Sequence, residues 1–435
     1  MTEVLSDLRA FKLATGAHHF ASATIEIADR CNEVCVHCYQ IQGQKGEMDT
    51  AQVCAVIDRL ADAGVLWLTL SGGEATLRRD FRDIVAHARS RHFAVRLMSN
   101  GLRIDDNLAD FLAEQAIASV QISLYAMTPE VHDRTTGVPG SFEKTTAAIR
   151  RLRARNIAVD VAMTVMQHNV DDVTPLLAFT AEVGARPSIS GHVFAKEDGD
   201  RQTEALNLDQ DRYARFFADL QSAAEQQSEK KAPEEAPPPA PNPLHGRPCQ
   251  VAKASVHVEA NGEVRACALF NHTFGKVDTG KGPVEVMRES EDAALLGGLT
   301  WGHIVGCRVC DLRPHCHRCF ANAQDEAGDA LAPYASACAR ALTVYEHQTG
   351  ALAWESPPGD APTGPFREVE PGVLARTEDT LSAEDIALRE RAPWLRPARN
   401  LAAPAGSPAA ARAREGFVPA TRLARSAGIS TNQST

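Results

Sequence analysis

The stretch ATIEIADRCNEVCVHCY, residues 23–39, joins a strand-like segment directly to three closely spaced cysteines. Its first six residues, Ala23–Ala28, alternate apolar and polar side chains with period two, which is typical of a β-strand. Cys31, Cys35 and Cys38 follow where this strand ends, in the pattern CxxxCxxC. Cysteines crowded at spacings of three and four residues favour metal ligation, so the stretch predicts a metal centre at one edge of a sheet.

Strand-like and helix-like segments alternate from residue 20 to residue 195. Asp49–Ala63 repeats apolar residues at helical spacing, and Val65–Leu70 (VLWLTL) is a nearly all-apolar run. Such a run is typical of a parallel strand that is buried on both faces. About six β–α units follow one another, which predicts an α/β fold with a parallel sheet, covering helices and a ligand site at the carboxyl ends of the strands.

Composition limits the classes of function. The 435 residues are 44% hydrophobic, which is enough for a large core, and the net charge is −11 with only 6% aromatic residues. Nucleic-acid binding is therefore not expected, since it depends on clustered Lys and Arg or on stacking aromatic side chains. No apolar segment approaches the ~20 residues of a membrane helix, and the first thirty residues carry no secretory pattern. We expect a cytoplasmic protein without a membrane or nucleic-acid partner.

The second half of the chain is organised around a proline-rich segment, Lys231–Pro243 (KAPEEAPPPAPNP), which cannot continue a helix. Beyond it, Ser255–Cys267 predicts a hairpin that turns at Asn261-Gly262. The composition after about Gly350 is typical of disorder, with an excess of Arg near the end. The predicted units are a sheet-and-helix domain (20–195), a helical connector (196–230), a linker (231–246), a small Cys-rich domain (247–348) and a disordered tail (349–435).

The first cysteine group has three thiolates, one fewer than a closed tetrahedral zinc site requires. A zinc ion with His37 as fourth ligand is one alternative, and a 4Fe–4S cluster with one open iron is the other. Ser71-Gly72-Gly73-Glu74 follows the second strand, so it meets the cysteines at the same end of the sheet. Its glycines allow close approach of the backbone to a ligand, and the Glu74 carboxylate can accept hydrogen bonds from an ammonium group.

Taken together, these motifs resemble the radical S-adenosylmethionine (SAM) enzymes. CxxxCxxC with Tyr39 after the last cysteine is similar to their cluster loop, and Ser71–Glu74 resembles the motif that holds the methionine amino group. The resemblance implies a partial (β/α)6 barrel, a 4Fe–4S cluster on Cys31, Cys35 and Cys38, and SAM bound to the open iron. It also implies that a 5′-deoxyadenosyl radical abstracts a hydrogen atom from the substrate, chemistry that belongs to the cofactors.

The resemblance extends to further SAM contacts. Ser99-Asn100-Gly101 resembles a third-strand motif, Ser123 ends the fourth strand, and Arg134 matches a basic residue that pairs with the SAM carboxylate. The sequence is equally compatible with other roles for these residues. Asn100 and Ser123 could be turn or cap residues, and Arg134 could form a surface ion pair. The SAM-binding residues that the resemblance implies are Tyr39, Gly72, Gly73, Glu74, Asn100, Ser123 and Arg134.

Seven more cysteines lie after the proline-rich segment. Two CxxC pairs, Cys307/Cys310 and Cys316/Cys319, could close one zinc ribbon, but that leaves Cys249, Cys267 and Cys338 without a role. The pattern resembles the SPASM extension of radical SAM enzymes, which implies two auxiliary 4Fe–4S clusters. Cys54 lies in a predicted helix and fits a small buried core residue. The implied ligands are Cys307, Cys310, Cys316 and Cys338 for one cluster, and Cys249, Cys267 and Cys319 for the other, whose fourth place is open or filled by His245.

SPASM-containing enzymes mostly modify peptides or proteins by crosslinking, epimerisation or side-chain oxidation. The resemblance therefore implies a peptide or protein substrate and a low-potential electron donor such as flavodoxin or ferredoxin. Ala268 follows the hairpin cysteine where the sulfatase-maturating branch has a catalytic Asp, which argues against that activity. The alternatives are an enzyme of tetrapyrrole (heme-type) biosynthesis, a zinc-binding structural or regulatory protein, and an iron–sulfur electron carrier.

Overall fold

The computed structural model describes residues 20–228, 244–278, 280–310, 312–349, 366–370, 373–376 and 382–396. Within these residues, nine strands form one sheet in the order β6-β5-β4-β3-β2-β1-β7-β8-β9, and two more form a separate antiparallel pair. The strands are β1 (Ser22–Ala28), β2 (Trp67–Gly72), β3 (Ala94–Ser99), β4 (Ser119–Ser123), β5 (Val159–Thr164), β6 (Arg186–Ser190), β7 (Ser255–Val258), β8 (Glu263–Arg265), β9 (Thr273–Lys276), β10 (Phe366–Glu370) and β11 (Val373–Arg376).

Strands β1 to β6 are parallel and stand in chain order, and a helix lies between each consecutive pair. The predicted partial (β/α)6 barrel is confirmed. The helices between and directly after these strands are α1 (Thr50–Asp62), α2 (Phe81–Ser90), α3 (Asp106–Glu114), α4 (Pro129–Thr136), α5 (Ser141–Ala154), α6 (Val173–Val183) and α7 (Gln210–Ser228). None of the described helices combines the length and apolar character that crossing a membrane requires.

Local sequence explains why these elements form where they do. Asp49 caps α1 by accepting a hydrogen bond from the backbone N–H of Gln52, whose side chain bonds back to Asp49. The apolar stripe of α1, which includes Ile57 and Leu60, is fully buried against the sheet. Along β1, Ala23, Ile25 and Ile27 are buried as the period-two pattern predicts. Pattern and packing therefore agree in the first β–α unit.

The hairpin predicted at Asn261-Gly262 is present, and Gly262 supplies the left-handed backbone of the turn with φ +88°. Its first strand, β7, is not part of a separate sheet: it pairs in parallel with β1, with Ile25 opposite Val258. The hairpin therefore widens the sheet of the barrel instead of starting an independent one. Residues 231–243, which are most of the predicted linker (231–246), lie outside the described residues.

The Cys-rich part is mainly helical, and its helices are α8 (Pro283–Glu289), α9 (Glu291–Gly298), α10 (Phe320–Ala327) and α11 (Ala335–Thr349). It packs against a further helix, α12 (Ala383–Arg391), for which the sequence predicts disorder. Arg389 pairs with Asp329 at 2.9 Å, and Trp394 stacks on His272 with ring centroids 4.5 Å apart. For residues 382–396 the predicted disorder is therefore wrong, because ion pairs and an aromatic anchor fix this segment. Residues 397–435 lie outside the described residues.

Candidate functional site

The turn after β2 packs directly on the loop that carries the first cysteines. Glu74 N donates to Arg30 O, and Gly73 N donates to Ala28 O, both at 2.8 Å. A Cβ atom at Gly72 would lie 2.2 Å from Ala28 O, and one at Gly73 would lie 2.5 Å from Arg30 O. The sequence predicts that these glycines admit a ligand; the structure shows that they admit the backbone of the cysteine loop itself.

The cysteine loop is also held from the opposite side, by the end of α4. Val34 N donates to Thr136 O at 2.9 Å, and Val36 N donates to Thr135 O at 3.0 Å. Both valine side chains point outward, since Val34 is 78% exposed and Val36 is 44% exposed. The loop therefore has a fixed backbone, and its three half-buried thiols are presented between two supports.

The three thiols lie close enough to interact electrostatically. Burial raises the pKa of Cys31 to about 11, with smaller contributions from Glu74, Glu33 and Cys38. Burial and the nearby Glu33 also raise the pKa of Cys35 well above its usual range, and burial raises that of Cys38. Thiols that resist ionisation alone become ligands when a cation binds, because thiolate formation is coupled to metal binding. Three neighbouring, partly buried thiols on a fixed loop therefore fit a 4Fe–4S cluster with three protein ligands.

Glu74 is 1% exposed and connects the ends of β2 and β3. Its Oε1 accepts hydrogen bonds from the N–H (3.1 Å) and hydroxyl (2.6 Å) of Thr76 and from the Ser99 hydroxyl (3.0 Å). Its Oε2 accepts from the Asn100 N–H at 2.8 Å. Burial raises the pKa of Glu74, and these hydrogen bonds oppose that rise. Protein donors thus occupy much of this carboxylate, and its predicted contact with an ammonium group stays a prediction.

Asn100 is positioned by Glu74 and reaches the cysteine loop. Its Nδ2 donates to Asn32 Oδ1 at 2.8 Å and lies 3.8 Å from Cys31 Sγ. Its Oδ1 accepts from the N–H of Leu102 at 3.0 Å. Of the predicted SAM contacts, Gly72, Gly73, Glu74 and Asn100 are therefore brought together beside Cys31.

We expect Glu74→Gln to lower the apparent melting temperature, because an amide nitrogen would face N–H and O–H donors where a carboxylate now accepts from them. Loss of a charge-assisted hydrogen bond costs about 1.5–3 kcal/mol, which corresponds to roughly 2–3 °C in a chain of this size. The matched control is Glu143→Gln on the exposed face of α5. Equal melting temperatures for the two variants, measured by anaerobic calorimetry, would contradict the role given to Glu74.

The other predicted SAM contacts have different surroundings. Tyr39 is half-buried, its carbonyl accepts from the N–H of Glu197 at 2.9 Å, and burial together with nearby carboxylates raises its pKa well above the usual range. Ser123 is hydrogen-bonded to the Tyr125 side chain at the end of β4. Arg134 is exposed on α4, close enough to His168 to help lower the pKa of that imidazole, which burial lowers most. The structure does not bring Arg134 into the group beside Cys31.

Sequence reasoning missed an aromatic group beneath the cysteine loop. The His37 ring packs edge-on against Tyr125 at 4.5 Å, and Tyr125 stacks on His132 at 5.9 Å. Burial lowers the pKa of His37 to about 4, so the imidazole is neutral at pH 7. His37, named above as an alternative zinc ligand, packs its ring against Tyr125 in this structure. The signal that could have identified the group is an aromatic residue directly after a strand, at the edge where the cysteines also lie.

A buried charged network, also missed, joins the cysteine loop to the hairpin. Lys45 Nζ lies 2.7 Å from Glu197 Oε1 and 3.3 Å from Glu259 Oε2. Glu259 pairs in turn with Arg265 at 2.7 Å, and His257 Nε2 lies 3.2 Å from Glu26 Oε1. These residues come from β1, β7, β8, the hairpin turn and two further loops, so no single stretch of sequence indicates the network.

The later cysteines lie in two groups, and their assignment as cluster ligands stays a prediction. Cys307, Cys310, Cys316 and Cys338 line one mostly apolar cavity of about 360 Å³, which Cys319 does not line. Burial and the neighbouring Cys307 raise the pKa of Cys316 to about 12. Four thiols around a cavity, of which that of Cys307 is buried and the others are partly buried, fit the four ligands of a closed cluster. The zinc-ribbon set, which needs Cys319 instead of Cys338, is not the set brought together here.

The second set is Cys249, Cys267 and Cys319. Burial raises the pKa of Cys267 to about 11, and Cys319 and Cys249 are near enough to contribute. His245, considered for the fourth place, is exposed. Cys54 belongs to neither set and is half-buried on α1, whereas the sequence predicts a small buried core residue. In the described part of the chain, no three Cys, His, Asp or Glu side chains converge on the position of a single metal ion.

We expect Cys338→Ala to remove one auxiliary cluster, about four iron atoms per chain, because it removes one of the four thiols that line the cavity. Iron and sulfide should fall by about a third, whereas SAM cleavage at the distant cysteine loop should persist. Iron content equal to that of the unsubstituted protein would contradict the ligand set. The control is Cys54→Ala, which also loses a thiol but should keep the iron and sulfide content of the unsubstituted protein.

Comparison with known proteins identifies the class of the barrel. Residues 25–179 match the Radical SAM superfamily. This segment spans β1 through α6, and it contains the cysteine loop, the Gly72-Gly73-Glu74 turn and Asn100. The chain therefore carries a radical SAM domain, whose superfamily uses a 4Fe–4S cluster and SAM.

Three curated relatives illustrate the range of similarity. Mycofactocin maturase MftC of Mycobacterium ulcerans is 36% identical over 165 residues, which is 37% of this chain and 44% of the relative. Sporulation killing factor maturation protein SkfB of Bacillus subtilis is 33% identical over 190 residues, 43% of this chain and 46% of the relative. The AdoMet-dependent heme synthase of Methanosarcina barkeri is 29% identical over 208 residues, which is 46% of this chain and 59% of the relative. The chain thus spans about half the length of these relatives.

A solved structure extends the likeness of fold beyond the radical SAM domain. Streptococcus suis SuiB bound to its precursor peptide SuiA superposes with a TM-score of 0.57 over 74% of this chain and 77% of SuiB. The sequence identity is 14%, so the likeness shows the fold alone. The architecture described above, including part of the chain outside residues 25–179, is therefore one already seen in a solved protein.

Proposed function

We propose that this protein is a radical SAM enzyme that modifies a side chain of a ribosomally made peptide or protein, by crosslinking, epimerisation or oxidation. The observation that carries the proposal is the fixed, three-thiol loop beside Glu74 and Asn100 inside a radical SAM domain. Two further cysteine sets in the same chain support it, because they fit auxiliary clusters.

In this proposal Cys31, Cys35 and Cys38 hold the SAM-binding cluster, and the later sets hold two auxiliary clusters. When bound, SAM and a reduced cluster would supply a carbon-centred radical able to remove a hydrogen atom from the substrate. The protein's own residues fix the site: Glu74 holds Asn100 against the cysteine loop, and the end of α4 holds the loop backbone. A site fixed in this way is preorganised, which is what radical chemistry requires of its surroundings.

The choice of a peptide substrate is supported by the relatives. MftC and SkfB are named as maturation proteins, and the SuiB structure contains a precursor peptide. A low-potential electron donor such as flavodoxin or ferredoxin would complete the system. We also propose a cytoplasmic location without nucleic-acid or membrane partners, because crowded reduced thiols persist in reducing compartments.

A second candidate is a role in heme-type tetrapyrrole biosynthesis, which the match to an AdoMet-dependent heme synthase favours. The two candidates differ in substrate and not in radical generation. Incubation of the reduced enzyme and SAM with small peptides encoded beside its gene, and in parallel with tetrapyrroles, separates them. A mass change in only one class of substrate decides between them.

The test of the proposal is metal and cofactor analysis of the anaerobically reconstituted protein. Iron near ~12 atoms per chain with matching sulfide and little zinc is expected for three 4Fe–4S clusters. Formation of 5′-deoxyadenosine and methionine from SAM with dithionite should accompany it. About 4 iron atoms and one zinc per chain would indicate that the later cysteines hold zinc and not auxiliary clusters. Absence of SAM cleavage by a fully loaded protein would overturn the proposal.

A further inference from the structure

A cleft of about 640 Å³ opens between the carboxyl end of β6 and the helices α10 and α11. Gly191 and His192, which directly follow β6, form one wall, and Asn322, Asp325 and Glu326 on α10 form part of the other. The carboxyl ends of β1 and β6 lie on the same side of the parallel sheet, so the cleft and the cysteine loop open toward the same side.

The cleft carries more negative than positive charge. Its lining contains four carboxylates, of Glu204, Asp209, Asp325 and Glu326, but only two guanidinium groups, of Arg201 and Arg340. Glu204 is 8% exposed and pairs with Arg201 at 2.7 Å. Even so, its pKa is raised to about 7, by burial first and also by Asp325 and Glu326, against the opposing effect of Arg201. A cation inside the cleft would relieve this excess.

Asn322 provides an independent indication of a ligand. This side chain lines the cleft and is 6% exposed, yet its Oδ1 is buried without a hydrogen-bond partner. Buried polar atoms are almost always paired, and an acceptor left alone is costly. Asn322, Asp325 and Glu326 stand three and four residues apart, so one face of α10 presents the acceptor and both carboxylates.

We propose that this cleft binds a positively charged side chain, lysine or arginine, of the peptide substrate. The ammonium or guanidinium group carries the charge that the carboxylates favour and the N–H donor that Asn322 Oδ1 lacks, and such charge-assisted hydrogen bonds are strong and directional. An apolar side chain of the same length, such as norleucine, offers neither. The identity of the ligand as part of a peptide rests on the proposed function; its charge rests on the cleft alone.

The cleft lies next to both kinds of cysteine site. Helix α10 begins directly after Cys319, and the backbone N–H groups of Ala321 and Asn322 hydrogen-bond to that thiol. Asp325 also lines a smaller neighbouring cavity together with Tyr39 and Glu197, at the end of the cysteine loop. A side chain anchored in the cleft would therefore hold the rest of the peptide near the radical SAM site.

The experiment measures binding of synthetic peptides to the reconstituted protein with SAM present. The probes are four peptides, Ac-Gly-Ala-X-Ala-Gly-NH2, in which X is lysine, arginine, norleucine or glutamate. Each peptide carries a fluorescent label, and its binding is measured by fluorescence anisotropy. We expect lysine or arginine to bind about tenfold more tightly than norleucine, and glutamate to bind most weakly. Asn322→Leu and the double variant Asp325→Asn, Glu326→Gln should each abolish most of that preference, whereas Glu143→Gln on the remote face of α5 should retain it.

The outcomes separate this inference from the proposed function. Equal affinity for all four peptides, or a lysine preference that survives both cleft variants, would overturn the cationic cleft even if SAM cleavage is normal. A preference for lysine or arginine that disappears in the cleft variants supports the cationic cleft, whether or not the protein cleaves SAM. If SAM cleavage fails, the proposed function is overturned and the cationic cleft is not. Iron content and melting temperature of each variant are measured in parallel. If a cleft variant misfolds, the comparison of the four peptides on the unsubstituted protein still decides.

Discussion

Replacing Cys35 with alanine is expected to abolish SAM cleavage and to remove about four iron atoms per chain. Cys35 is the middle thiol of the loop, near enough to Cys31 and Cys38 for both to contribute to its raised pKa, and its neighbourhood is buried. Two thiolates cannot replace three on a cluster that already keeps one iron open. Losing even an outer-shell partner of a metal costs about 10–100-fold, so losing a direct ligand should cost at least the upper end of that range.

The measurement is iron, sulfide and 5′-deoxyadenosine formed per chain under anaerobic conditions. Cys54→Ala is the matched control, since that thiol lies on α1 and belongs to neither cysteine set. The control should keep full iron and full SAM cleavage. If Cys35→Ala behaves like Cys54→Ala, the loop is not the cluster site and the proposed function loses its main support.

Replacing Gly73 with alanine is the second change with a large expected effect, although it removes no ligand. The new Cβ would lie 2.5 Å from Arg30 O, 2.6 Å from Arg30 C and 3.0 Å from Cys31 N. All three are backbone atoms, so no side chain can rotate away, and the β2 turn and the cysteine loop must move apart. Overpacking costs about 1–3 kcal/mol, and here it also disturbs the hydrogen bond from Glu74 N to Arg30 O.

We therefore expect Gly73→Ala to lose most SAM cleavage and the iron of the first cluster while keeping that of the auxiliary sites. Gly298→Ala is a suitable control, because an added Cβ at the end of α9 meets nothing within 4 Å and the residue has ordinary backbone angles. Anaerobic iron analysis and deoxyadenosine formation compare the two. Full activity in Gly73→Ala would show that the close packing of turn and loop is dispensable.

Much of the fold and part of the site could be predicted because their signals are local. The alternation of strand-like and helix-like segments predicted six parallel strands, and Asn261-Gly262 predicted the hairpin. The spacing of Cys31, Cys35 and Cys38 placed three thiols on one loop. Family resemblance separated Cys316 from Cys319, which spacing alone would have left in one zinc ribbon.

What the sequence did not reveal depends on contacts between distant segments. Helix α4 has few apolar residues and no clear period, yet its last residues support the cysteine loop. The network of Lys45, Glu197 and Glu259 joins residues more than 200 positions apart. Residues 382–396 have the composition of a tail, and only pairing such as Arg389 with Asp329 makes them ordered. Local propensity carries no information about such partners.

The parallel pairing of β7 with β1 has a consequence for how the protein is made. During synthesis β1 emerges early, but 226 residues lie between its end at Ala28 and the start of β7 at Ser255. At ribosomal rates of about 5–20 residues per second, the edge of β1 that pairs with β7 stays unpaired for roughly 10–45 s. An open strand edge is a template for wrong partners. A nascent or truncated chain that stops before Ser255 therefore exposes the strand that carries the cysteine loop. Co-expression with a chaperone that shields strand edges should raise the yield of such a truncated chain more than the yield of the complete chain.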